Sequence, residues 1–108
     1  KADTTALLSE IINVLNDKFG TDFQPADQLF FDQIEEELVT DEGLSKQANS
    51  NTIENFKFGF EDIFLSKVID RMEQNQDIFG KIMDDPDFAK VVKEYMLKKV
   101  YNRLNPPK

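Results

Sequence analysis

With no histidine and no cysteine among 108 residues, carboxylates are the only abundant groups in this sequence that could do acid–base chemistry. They are densest at Glu35-Glu36-Glu37 and at Asp84-Asp85-Pro86-Asp87. Carboxylate hydrolysis needs two such groups facing each other across a cleft, one of them with a shifted pKa. Neighbouring glutamates on a helix splay about 100° apart and do not converge, so the triplet reads as a solvated face. The second cluster reads as the stop of one helix and the start of the next, with Asp85 as cap and Pro86 as first helical residue. A calcium or magnesium site at 84–87 is the weaker alternative, because the central glycine and terminal glutamate of an EF-hand are missing. The absent Cys and His remove disulfides, thiol nucleophiles, the usual zinc sites and Ser-His-Asp triads. The glycines stand singly at 20, 43, 59 and 80 and build no phosphate-cradling loop. We expect no catalytic, cofactor-binding or metal site within residues 1–108; a carboxylate-dependent hydrolase is the last-ranked reading.

Binding chemistry is carried instead by a basic stretch, Lys90, Lys93, Lys98, Lys99 and Arg103, with Lys108 beyond it. Residues 90–108 hold six bases and one acid, whereas residues 1–89 hold 20 acids and seven bases, and the whole chain is net −8. Two readings of the stretch stay open. The cations can meet phosphates or an acidic partner, or they can simply suit the negative end of a helix, where Glu94 and Lys98 also form a favourable i,i+4 pair. The acidic remainder argues against a stand-alone nucleic-acid binder.

The elements that position these groups are helices. Asp3 or Thr4 can cap a first helix carrying Leu7, Leu8, Ile11, Ile12, Val14 and Leu15, which Gly20 ends. Pro25 opens a second with Leu29, Phe30, Ile34, Leu38 and Val39. Gly43 separates it from a polar stretch, 44–50, that is a short helix or a loop. Asn51 with Glu54 makes a capping box for a long helix to about Met72. Its apolar residues (Ile53, Phe56, Phe60, Ile63 and Phe64, widened by Phe58, Leu65, Val68, Ile69 and Met72) cover so much of its circumference that it should lie at the centre of a bundle. Gly59 suits a close approach within it. A short helix spans 76–83, and the last runs from Pro86 to about Leu104. The expected fold is all-α, a compact orthogonal or antiparallel bundle of five to six helices forming one domain over 1–108. The expected core comprises Leu8, Ile12, Leu15, Leu29, Ile34, Leu38, Phe56, Phe60, Ile63, Phe64, Ile69, Phe79, Phe88, Val92 and Tyr95.

The last helix carries two apolar faces in succession. Phe88, Val91, Val92, Tyr95 and Met96 form the first; Leu97, Val100, Tyr101 and Leu104 lie on nearly the opposite side. The helix could break near Met96, another helix could cover the second face, or that face could await a partner. We expect the third, which makes Leu97, Val100, Tyr101 and Leu104 candidate protein-interface residues.

The stretches PADQLFFDQIEEELVTDEGL (25–44), NTIENFKFGFEDIFLSKVIDRMEQNQDIFGKIMDDPDF (51–88) and VVKEYMLKKVYNRL (91–104) resemble the C-terminal region of the motor subunit of type I restriction–modification enzymes, above all the IC subfamily. The likeness is continuous and covers nearly the whole chain, with no short motif diagnostic by itself. It implies a parent that is an ATP- and Mg-dependent DNA translocase and endonuclease in the bacterial cytoplasm. The C-terminal region of that parent docks on the modification and specificity subunits and contacts double-stranded DNA without being catalytic. Within it the resemblance points at Lys93, Lys98, Lys99 and Arg103, and at Phe56, Lys57 and Phe60. The opening Lys1 and the closing Asn105-Pro106-Pro107-Lys108 fit a domain cut from a longer chain, whose remainder would be a further partner. No apolar run approaches the ~20 residues of a membrane span, and together with the missing cysteines this fits an intracellular protein with no membrane partner. The rival reading is an independent acidic helical adaptor that binds a basic protein and has no link to DNA.

Overall fold

Local signals set the ends of each helix. The computed structural model describes residues 10–50 and 52–106, and among these are six helices and no strand. They are α1 (Ile11–Phe19), α2 (Pro25–Val39), α3 (Glu42–Ser50), α4 (Ile53–Asp70), α5 (Gln76–Asp84) and α6 (Pro86–Leu104). The expected all-α bundle is the fold. The cap expected at Asp3 or Thr4, together with Leu7 and Leu8, lies outside the described residues.

Gly20 ends α1 in the left-handed region at φ +65°, donating its N–H to Asn16 O. Asn16 then fixes the connection to α2: its Oδ1 accepts from Phe23 N and Thr21 Oγ1, and its Nδ2 donates to Phe23 O. Pro25 takes the first position of α2, and Asp27 Oδ2 accepts from Gln24 N in a capping box. Asp85 Oδ1 accepts from Asp87 N and Phe88 N, as its place before Pro86 predicts. Caps of this kind contribute about 1 kcal/mol each.

Three boundaries differ from the sequence expectation, the first being α1, which starts only at Ile11 because Glu10 is extended at φ −127° and ψ 101°. Gly43 sits inside the first turn of α3, because Asp41 Oδ1 accepts from Leu44 N and starts that helix two residues earlier. Thr52 caps α4 by accepting from Asn55 N. Asn51, the expected capping-box residue, lies outside the described residues.

The larger correction concerns which helix is central. α6 touches every other helix of the structure, whereas α4 buries a single stripe, Phe56, Phe60, Phe64 and Val68. The three aromatic rings of that stripe stand in series, 5.8 Å and 5.7 Å apart. Leu29 and Ile69, expected in the core, are exposed at 59% and 47%. Buried in their place are Phe30 and Phe31 of α2, Leu44 and Ala48 of α3, Ile78 and Ile82 of α5, and Met96, Leu97 and Val100 of α6. Ile63, Phe79 and Tyr95 pack half-buried at the margin. Gly59 meets the expectation of close approach, since an added Cβ would collide with the Gln47 side-chain amide of α3.

Candidate functional site

The charged face of α6 is built around α2. Glu35 lies between Phe31 and Leu38 on the inward face of α2, and its side chain is only 9% exposed. Its two oxygens are shared out: Oε1 lies 3.2 Å from Lys99 Nζ, and Oε2 accepts from Arg103 Nη1 at 2.8 Å. Arg103 Nη1 also donates to Glu36 Oε2 at 2.7 Å. Donating to Glu36 first, and then to Glu35, raises the guanidinium pKa above its ordinary value. Glu37 points the other way, to Arg71 at the end of α4, which also donates to Gln33 Oε1. The triplet does splay, but it is not the solvated face its run of charge suggests; it fastens α2 to α6 on one side and to α4 on the other.

This pairing divides the five candidate cations. Lys99 and Arg103 are committed to Glu35 and Glu36. Lys93 lies 3.9 Å from Glu61, and Glu94, expected to pair with Lys98, instead faces Lys57 at 3.8 Å. Lys90 and Lys98 are exposed and have no carboxylate within 4 Å among the described residues. They line an open groove with Phe19, Val91 and Tyr95, and Lys18 of α1 joins them from the opposite wall. Asp87 and Glu94 of α6 line the groove as well, so it is basic only in part. Lys18 escaped the sequence reading because it lies 72 residues before Lys90 in an acidic stretch. Lys108 is outside the described residues.

Tyr95 forms the floor between the two groups. Lys99 Nζ lies 5.8 Å from its ring centroid, and its phenol oxygen is fully covered with no hydrogen-bond partner. Burial first, then the charges of Glu35, Asp32 and Glu10, push its pKa up to about 12. The folded state therefore holds this proton more tightly than the unfolded chain does. Stability from this group is fully present below about pH 10 and is lost as pH rises through about 12. Tyr95→Phe removes an unpaired buried hydroxyl. We expect it to raise unfolding stability at pH 7 by about 1 kcal/mol and to flatten the alkaline fall, as measured by urea unfolding at pH 7 and pH 11.

The candidate interface strip on α6 is corrected by the structure. The helix does not break near Met96, and Leu97 and Val100 are 7% and 0% exposed. The Tyr101 and Phe56 rings meet edge to face with centroids 5.2 Å apart, and Leu104 is half-buried against the core. The domain's own helices cover the second face, because α6 runs through the middle of the bundle rather than along its side. Phe56 and Phe60, which the resemblance singles out, are core residues as well.

Elsewhere, Gln28 is buried and ties α1 to α2, accepting from Ile12 N and donating to Asp32 Oδ1. Gln28, Phe31, Glu35 and Leu38 follow a 3-4-3 spacing, a signal in the sequence that these two polar residues share the inward face. Asp84 and Asp85 join Asp22, Asp27 and Asp77 along a second open groove. Asp27 is used by Gln24 N and Asn75 Nδ2, and among the described residues no three carboxylates are placed to hold a metal ion. No described helix is long and apolar enough to cross a membrane. Comparison of the chain with protein-family models, with curated proteins and with solved structures finds no match.

Proposed function

We propose that this chain is a non-catalytic assembly domain, the C-terminal domain of the motor subunit of a type I restriction–modification enzyme. In that role it docks the motor on the modification and specificity subunits in the bacterial cytoplasm and adds a phosphate contact when the assembled enzyme holds double-stranded DNA. The ATP and Mg chemistry belongs to the parent's other domains. The resemblance along 25–44, 51–88 and 91–104 supports the parentage. The observation that carries the DNA contact is the convergence of Lys18, Lys90 and Lys98 on one open groove. Lys99 and Arg103 leave the DNA-contact set, because Glu35 and Glu36 already neutralise them.

The chain's net −8 repels DNA at range, but screening reduces this beyond about 10 Å at 0.1 M salt. The isolated chain should therefore bind DNA weakly, while the groove contributes once docked. In the assembled enzyme, Lys18→Gln, Lys90→Gln and Lys98→Gln together are expected to reduce the slope of log affinity against log salt by about 2–3. An unchanged slope with assembly intact would make the groove ordinary solvated surface. The second reading, an adaptor for a basic protein, is favoured by the acidity of residues 1–89. Failure of the chain to join the modification–specificity core would decide for it.

A further inference from the structure

Phe58 is the one exposed phenylalanine of ten, with 77% of its surface open. It is not isolated. Leu65 follows seven residues later and Ile69 eleven, so at about 100° per residue the three fall within about 40° of arc along α4. Met72, in the turn that follows, is exposed too, and Leu65 is half-buried. This row lies on the other side of α4 from the buried Phe56-Phe60-Phe64-Val68 stripe. Exposed apolar side chains aligned along a helix mark an interaction surface more often than scattered ones do.

The borders of the row are acidic. Glu54, Glu61 and Asp62 fall within about 60° of it, and Glu73 follows Met72. Glu61 has Lys93 at 3.9 Å, and among the described residues no ion pair is seen at Glu54, Asp62 or Glu73. The cations of this segment are directed elsewhere: Lys57 faces Glu94 of α6, Lys67 lies about 180° around the helix from Phe58, and Arg71 is bound to Glu37 and Gln33 of α2.

We infer that the outer face of α4, centred on Phe58, Leu65 and Ile69, docks a basic amphipathic helix of a partner protein. An apolar ridge takes the i, i+4, i+7 side chains of such a helix, and the acidic borders pair with its lysines and arginines. A second copy of this chain would set acid against acid, and anionic membranes and nucleic acids would be repelled. The inference goes beyond the assignment above. It concerns α4 alone and is tested on this chain by itself, so failure of the DNA test leaves it standing and its own failure leaves the groove untouched.

The test is a fluorescence-anisotropy titration of the 108-residue chain with a labelled 18-residue peptide of Leu, Lys and Ala whose leucines form one helical face. One control peptide carries Glu for Lys, and the other has the same composition scrambled to destroy that face. The basic amphipathic peptide is expected to bind at least tenfold more tightly than either control, and more weakly at high salt. Phe58→Ser with Ile69→Ser is expected to reduce that affinity at least tenfold with the helical circular dichroism retained. If that pair disturbs the fold, Glu54→Lys with Asp62→Lys should give a comparable loss. Equal binding of all three peptides, or unchanged affinity in a folded variant, overturns the proposal. So does a concentration-dependent dimer that Phe58→Ser abolishes, because the occupant would then be a second copy.

Discussion

Phe60→Ala is expected to lower the unfolding free energy by about 3–5 kcal/mol. Phe60 is 1% exposed and stands between the rings of Phe56 and Phe64, so its removal costs the transfer of a whole ring and opens a cavity between two others. A domain of this size has about 5–15 kcal/mol in total, so the variant would lose a large share, with its melting temperature down by about 20 °C. Leu29→Ala and Ile69→Ala serve as comparisons. Both residues belong to the apolar pattern of their helices, yet both are exposed, and each should cost under about 1 kcal/mol. Urea unfolding of the three variants decides the matter. A loss below 1 kcal/mol at Phe60, or losses above 2 kcal/mol at the other two, would mean that α4 and α2 turn other faces inward.

That contrast marks what the sequence could convey. Periodicity and end signals located the helices, because Gly20, Pro25, Asp85 and Pro86 act through their own backbone geometry and neighbours a few residues away. Periodicity alone does not say which apolar face meets a partner helix when a helix has two. α4 and α6 each carry a second apolar row, and the choice between burial and exposure depends on which helices pack around them. The row on α6 is covered because α6 touches all the other described helices, and the row on α4 stays open. The candidate site was legible in the same partial way. The cations of α6 were visible as a run, but their partners were not, since Arg103 reaches Glu35 across 68 residues of chain. The burial of Glu35 left a trace in the spacing of Gln28, Phe31, Glu35 and Leu38. The density of charge at Glu35-Glu36-Glu37 masked it.

Glu35→Ala is expected to destabilise the chain by about 2–4 kcal/mol, near the range for breaking a buried ion pair and reduced because its partners are partly wet. The side chains of Lys99 and Arg103 are 26% and 41% exposed, so each keeps some hydration when its counter-charge is removed. Glu35→Gln retains shape and hydrogen-bonding capacity while removing the charge, and should lose about half as much. Glu36→Ala is the internal control: Glu36 is 61% exposed, and its pair with Arg103 should contribute under about 1 kcal/mol. A double-mutant cycle between Glu35→Gln and Lys99→Gln isolates the interaction, with a coupling of about 1–3 kcal/mol expected. That coupling should survive 0.5 M salt better than any exposed pair, because ions cannot enter between the two groups. The result also bears on function. If Glu35 holds Lys99 and Arg103 this strongly, replacing those two should change stability and leave the salt slope of DNA binding in place. A coupling below 0.5 kcal/mol, with Glu35→Ala folded as firmly as the parent chain, would instead release both cations from their structural role and return them to the set that can face phosphates.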